Sequence, residues 1–280
     1  MALRCSDWSG LLTADDFTDR RVEDLEAMSE RRIVEAIQQM TSGGMQGIDP
    51  TWVEFLREHM QVAAFVAEGT RRALERAATL CTDPGAARCL AVQTMMYERQ
   101  AQSVVLYAMD LSRQLGDIPI EDARAAWETG SAWASAREHL AAVGRCDDWG
   151  EIVVALNLCF EPLAGQYLRR EFAKAALSAN DTVTPIVSGA GQVEWDWVQR
   201  WTAALVSGLI EDPVHGAANG EVLQAWVAEH TPSALGAARG MRELGAGSQW
   251  EPALDDGLKA VCADQGALLT QAGLEPGTSS

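Results

Sequence analysis

Histidine is scarce: the 280 residues hold four, at positions 59, 139, 215 and 230, and none stands three places after a glutamate. The Glu-x-x-His pair from which helices build carboxylate-and-imidazole metal sites is therefore missing. There is no Cys-x-x-Cys, and the six cysteines (5, 81, 89, 146, 159 and 262) are scattered, several of them on apolar helix faces, as reduced structural thiols are. Basic residues are few, 22 against 40 acidic, for a formal net charge of -18. Such a surface repels a phosphate backbone, so nucleic acid is not an expected partner, and solubility accounts for the acidity. No charge-free run is long enough to span a membrane, and MALRCSDWSGLLTADDF lacks the basic-then-apolar layout of a signal peptide. The expectation is a cytoplasmic protein without a membrane partner. Strand-type alternation, sequence repeats, nucleophile elbows, phosphate-cradling glycine loops and dinucleotide fingerprints are absent too.

What is present is helical periodicity nearly throughout. A helix is expected over 19–40, through Val22, Leu25, Ile33, Val34 and Ile37, ended by TSGGMQGID. Pro50 opens the next, to about Leu80. Another, to about Leu115, spaces Tyr97, Ala101, Val104, Ala108, Leu111 and Leu115 by four and three as a seam for a neighbour. One helix is expected from Ile120 to Val143 and one from Asp148 to about Leu177. A further one holds Trp195, Trp197, Trp201, Leu205 and Leu209 and ends at Asp212-Pro213, where the aspartate reads as a loop cap. Shorter helices are expected at about 219–230 and 232–244, separated at Thr231-Pro232, with a last amphipathic one over 251–272 and a disordered Gly-Thr-Ser-Ser end. The expected fold is all-α, an antiparallel bundle of long helices with extra C-terminal ones: 1–50 an arm and helix, 51–245 the bundle, 246–280 a final helix and tail. Ten tryptophans are more bulk than one core usually needs. Burial is their default reading, and a share in a subunit interface is the alternative.

The stretch DWGEIVVALNLCFEPLAGQYLRREFAKAAL, residues 148–177, carries the chemistry. Asp148 and Glu151 have capping-box spacing. Between Ile152 and Gly165 the polar side chains are Asn157 and Glu161 alone, four apart, so amide and carboxylate are expected to meet in one buried stripe. Pro162 removes a donor and predicts a kink or bulge at Glu161 itself. An inward glutamate beside a distorted turn is how ferritin-like carboxylate proteins present a metal ligand.

The wording Asp148-Trp149-Gly150-Glu151, Ala155-Leu156-Asn157-Leu158 and Glu161-Pro162 resembles the beta (small hydroxylase) subunit of the bacterial multicomponent soluble di-iron monooxygenases, the methane, toluene, phenol, propane and alkene group. The same resemblance takes in Glu58 to Phe65 running to Glu68, Tyr97-Glu98-Arg99-Gln100 running to Tyr107, and Val222 to Trp226 followed by Thr231-Pro232, roughly residues 50 to 240. It implies a ferritin-like (ribonucleotide-reductase-like) fold and a supporting role. The catalytic alpha partner would hold the di-iron centre and oxidise a hydrocarbon-like substrate with dioxygen and NADH-derived electrons. A gamma-type subunit, a regulatory coupling protein and a reductase are further partners it implies. The family's iron motifs are altered here: Glu98-Arg99-Gln100-Ala101 and Glu194-Trp195-Asp196-Trp197 keep the carboxylate and lose the imidazole. Glu68, Glu98 and Glu161 are accordingly expected as vestigial ligand positions lining the old cavity, hydrogen-bonded to neighbours such as Asn157 or Arg99, with no metal or cofactor in this chain and no catalytic residue.

Two alternatives stand beside it. One is a free-standing helical scaffold without chemistry. The other is an isoprenoid synthase: Asp15-Asp16-Phe17-Thr18-Asp19 fits D-D-x-x-D, and Asn180-Asp181 with Thr184 begins the second magnesium motif, although Ser188 stands where that motif needs an acid.

Overall fold

The computed structural model describes residues 2–12 and 24–276, apart from 25, 26, 29, 30, 33, 37, 45 and 46. Among the described residues every regular element is helical and no strand occurs, so the all-α expectation holds. Those described between 24 and 39 are helical, as expected there; the Asp15–Asp19 motif and the Gly-Thr-Ser-Ser end lie outside the described residues.

Ten helices follow among the described residues: α1 Pro50–His59, α2 Val62–Leu80, α3 Pro84–Leu115, α4 Ile120–Thr129, α5 Ser131–Val143, α6 Trp149–Val153, α7 Phe172–Ser178, α8 Thr184–Ile210, α9 Gly216–Arg242 and α10 Glu251–Gln271. Between α6 and α7 the chain stays helical through two π-helical stretches, Val154–Gly165 and Tyr167–Glu171, so that 149–178 forms one rod. Local chemistry explains the starts and stops. Asp83 accepts from the Ala86 amide at 2.7 Å with Pro84 behind it, and Gly116, at φ 88°, closes the 32-residue α3. Asp148 accepts from the Gly150 amide at 3.0 Å and starts the rod. Asp212 accepts from the Val214 and His215 amides, the expected loop cap, and also takes the Ser6 amide at 2.6 Å, tying the N-terminal arm to the α8–α9 corner.

Three segment boundaries differ from the sequence expectation. The helix expected from Pro50 to Leu80 is broken at Met60-Gln61, where the buried Gln61 side chain donates to the Ile118 carbonyl at 2.8 Å and the chain turns. The one expected from Ile120 to Val143 is broken at Gly130, whose backbone is extended (φ -67°, ψ 131°) and packed so tightly on the Ala126 carbonyl that no Cβ would fit. The helices expected on either side of Thr231-Pro232 are instead one, α9, running 27 residues with Pro232 inside it. Its packing against α5 and the π-helical stretch Val154–Gly165 carries the helix on where the local signal is to stop.

The helices α2, α3, the rod and α8 surround the centre of the bundle. α2 packs along α3, α8 lies against α3 and the rod, and α9 and α10 close over the rod's other side. One continuous apolar core runs from Leu3 through Leu90 and Leu158 to Leu268. Seven of the ten tryptophans are buried in the core, and Trp8, Trp127 and Trp226 are half-buried. Trp52 meets Trp250 edge-on at 5.0 Å, and Phe55 stacks on Phe172 at 5.0 Å, joining α1, α7 and the start of α10.

Candidate functional site

The rod supplies the central group. Pro162 has no amide proton to donate, and across it the Gln166 amide reaches back five residues to the Glu161 carbonyl. The bulge predicted at the carboxylate is therefore present, as π-helical turns from Val154 to Gly165. Glu161 is 1% exposed. Its side chain folds back along its own helix over Gly165, where an added Cβ would stand 2.6 Å from the carboxyl carbon and displace the carboxylate from this position.

A buried carboxylate needs a compensating cation, and a neutral amide cannot supply one. Arg169, eight residues on, does: its Nη2 is hydrogen-bonded to Glu161 Oε2. The expected Asn157–Glu161 contact is not made. Asn157 instead exchanges amide bonds with Gln93 of α3 (2.8 and 3.2 Å) and donates to Thr202 of α8 at 3.0 Å, a neutral network satisfied within itself. Burial works against the Arg169 charge, but Glu161, Tyr97 and Glu194 around it more than offset that and hold the guanidinium firmly protonated. Burial, and then the negative charge of Glu161, pushes the Tyr97 hydroxyl well above its ordinary value. From α8 the buried Glu194 accepts from Gln100 Nε2 at 2.7 Å. Gly191, one turn before Glu194, leaves the space that the Arg169 stem needs, since a Cβ there would stand 3.1 Å from Arg169 Cδ.

These groups face a cavity of about 90 Å³ whose other wall is aromatic, with Trp52, Phe55 and Phe172. His59 lies at its edge, half-buried, its imidazole pKa lowered by burial and its Nδ1 3.5 Å from Trp133 Nε1. Of the three sequence-expected ligand positions, Glu161 alone reaches this cavity. Glu98 is exposed on the outside of α3, because its neighbour Tyr97 takes the inward position. Glu68 lies on the outer side of α2, gripped by Arg71 Nε and Arg72 Nε, each at 2.7 Å, which lower its carboxyl pKa. Helices in register i+3 and i+4 make those ion pairs locally, with no contribution from the bundle.

The donor set does not suit a di-iron centre. Neither inward carboxylate has an imidazole three residues on, since Ala164 follows Glu161 and Trp197 follows Glu194. A fixed positive charge also stands between them in Arg169. What the arrangement does is hold an ion pair and a tyrosine in an apolar bundle. Arg169, Tyr97 and Gln100 were not singled out from the sequence as parts of it. Arg169 has one legible signal: it is the first cation after the apolar run that buries Glu161.

Asp181 is fully buried and spent on structure. It accepts from the Val183 and Thr184 amides and from Trp52 Nε1 at 2.8 Å, and it is bonded to the Thr184 hydroxyl, which itself meets Tyr107 Oη at 2.9 Å. It holds the turn that enters α8 and anchors α1, and none of these bonds leaves the Asn180-Asp181-Thr184 set free for magnesium.

Residues 1–213 match the family model described as methane/phenol/alkene hydroxylase. The small subunit of the propane 2-monooxygenase hydroxylase component of Rhodococcus jostii (strain RHA1) is 30% identical over 156 residues, 55% of this chain and 42% of the relative. The corresponding subunit from Mycolicibacterium goodii is 30% identical over 196 residues, 66% of this chain and 51% of the relative. The chain thus spans about half the length of the curated relatives it matches. A crystal structure of phenol hydroxylase from Pseudomonas sp. OX1 superimposes with a TM-score of 0.83 at 17% identity, covering 98% of this chain and 81% of that one, and shares its ferritin-like fold.

Proposed function

Because the chain belongs to the methane/phenol/alkene hydroxylase family, we propose that it is the non-catalytic, metal-free beta subunit of a soluble di-iron monooxygenase hydroxylase. It packs on an iron-bearing alpha subunit that oxidises a small hydrocarbon-like substrate with dioxygen and NADH-derived electrons. Residues 51–245 form the bundle that carries this role, with 1–50 and 246–280 flanking it. The chain works in the cytoplasm, and a reductase, a coupling protein and a gamma-type subunit complete the system.

The observation that carries the reading is the Glu161–Arg169 pair with Glu194 beyond it. At the place where an iron-bearing relative needs imidazoles around its carboxylates, a guanidinium pairs with Glu161 and the Gln100 amide bonds Glu194, which leaves the bundle to support a partner. The outer face of α3 favours such a partner: Met95, Leu106 and Met109 fall within one arc of the helix and are 51%, 54% and 56% exposed.

Iron stoichiometry of the co-expressed complex tests the reading. The complex is expected to contain iron, and Glu161→Gln and Glu194→Gln in this chain should leave the iron per alpha chain unchanged. Iron lost in proportion to either substitution with assembly intact, or iron bound by this chain purified alone, overturns it.

A further inference from the structure

Three residues far apart in sequence meet at the start of the rod, away from the central cavity. Cys146 lies in the turn between α5 and α6, Glu151 in the first turn of α6, and His230 near the middle of α9. A single carboxylate oxygen, Glu151 Oε1, lies 3.4 Å from Cys146 Sγ and 3.2 Å from His230 Nε2, and the three donor atoms all fall within 4.8 Å of one another. We propose that Cys146, Glu151 and His230 form a mononuclear site for a borderline-soft divalent cation of the zinc type, with water in the fourth position.

The two separations from Glu151 Oε1 are those of a coordination shell, and sulfur and imidazole nitrogen lie within 4.8 Å of each other. Bonds of about 2.0–2.3 Å from a tetrahedral zinc ion to sulfur, nitrogen and oxygen place neighbouring donors roughly 3.3–3.5 Å apart. In the metal-free arrangement Glu151 Oε1 accepts from the thiol and meets the imidazole, so protons hold the three groups where an ion would. On ligation the thiol proton leaves to solvent, the imidazole proton passes from Nε2 to Nδ1 so that the Nε2 lone pair is free, and the cation takes their place between the donors. Little has to move, because each donor is already held. Arg76 donates to the Cys146 carbonyl at 2.7 Å and to Asp147 at 2.6 Å, clamping the turn. Asp148 fixes the first turn of the helix that presents Glu151. His230 is buried, its ring edge-on to His139 at 6.0 Å between centroids.

Access and selectivity agree with this. A shallow surface depression lined by Ala142, Arg145, Cys146, Asp147 and Glu151 opens on the cluster, giving an ion a path and a fourth ligand a place. One sulfur, one imidazole nitrogen and one carboxylate oxygen suit zinc or cobalt, whereas magnesium and calcium require oxygen donors. Among the described residues no other group of three such side chains has this spacing.

The site is tested on the metal-depleted full-length chain titrated with cobalt(II). The expected result is one cobalt per chain with a thiolate-to-metal charge-transfer band, displaced stoichiometrically by zinc. Cys146→Ser should abolish the band and His230→Gln should weaken binding by about tenfold or more, while Cys81→Ser and Cys262→Ser change neither. X-ray absorption at the zinc edge of the wild-type chain requires no variant to fold, and should show one sulfur among nitrogen and oxygen neighbours. Absence of stoichiometric binding, a shell without sulfur, or a folded Cys146→Ser chain with an unchanged cobalt spectrum overturns the proposal. Any of these leaves the subunit reading intact, because none of the three residues touches the Glu161–Arg169 centre.

Discussion

At the scale of single residues, the informative fact is which group compensates which. Glu161 is ionically paired to Arg169, and Asn157 is satisfied by neutral partners on two other helices. Removing one member of a buried ion pair strands the other, so Glu161→Ala is expected to cost about 3–5 kcal/mol in denaturant unfolding of the full chain. Replacing both at once, Glu161→Leu with Arg169→Met, should recover most of that loss, because two apolar side chains of similar length need no partner. Adding Asn157→Ala to Glu161→Ala should give a simple sum, since the two sit in separate networks. A neutral Glu161→Ala, or strong coupling between positions 157 and 161, would contradict the pairing described here.

At the scale of elements, the helices are held at their ends by a few carboxylates that serve more than one helix. Asp181 accepts from the Val183 and Thr184 amides in the turn that enters α8 and also holds the indole of Trp52 on α1. Its loss strands those amides and a buried indole donor, so Asp181→Ala should destabilise by about 2–4 kcal/mol, and Asp181→Asn, which keeps an acceptor oxygen, by clearly less. Thermal unfolding of both variants checks this; equal and small losses would mean that the aspartate is not the joint between α1 and α8. The π-helical turns belong to this scale too. They let one helix carry Pro162 and still seat Glu161 inward, with Gly165 left small for the carboxylate.

At the scale of the whole molecule, pH acts through buried neutral histidine. Burial first, and the neighbouring His230 second, pull His139 from its ordinary 6.5 down to about 4, while its Nδ1 meets Ser233 Oγ at 2.7 Å. The unfolded chain therefore binds a proton that the folded chain refuses between those two values, so stability is full above the unfolded value and falls as pH drops from 6.5 toward about 4. The gap corresponds to roughly 3 kcal/mol. Unfolding midpoints measured across that range should fall steadily in the wild type and more shallowly in His139→Phe. An unchanged slope in the variant would place the acid sensitivity elsewhere, in the many carboxylates behind the net charge of -18.

The amino-acid sequence alone determined the helical class, the caps at Asp148 and Asp212, the distortion at Pro162 and the family resemblance. All of these depend on interactions within a turn or two of the chain, or on motif order along it. It also placed one inward carboxylate correctly, because Glu161 sits in a run with almost no other polar side chain. The seam periodicity already turns Tyr97 inward on α3, and adjacent helix positions point about 100° apart, so the expectation that Glu98 also lines the cavity fails. Glu68 is claimed by Arg71 and Arg72 of its own helix, a local pairing, whereas the tertiary structure alone carries α9 past Pro232. The partners of Glu161 and Asn157, and the meeting of Cys146, Glu151 and His230, are set by contacts between helices. Such contacts join residues from eight to 84 positions apart, a distance at which helical periodicity no longer says which side chains touch.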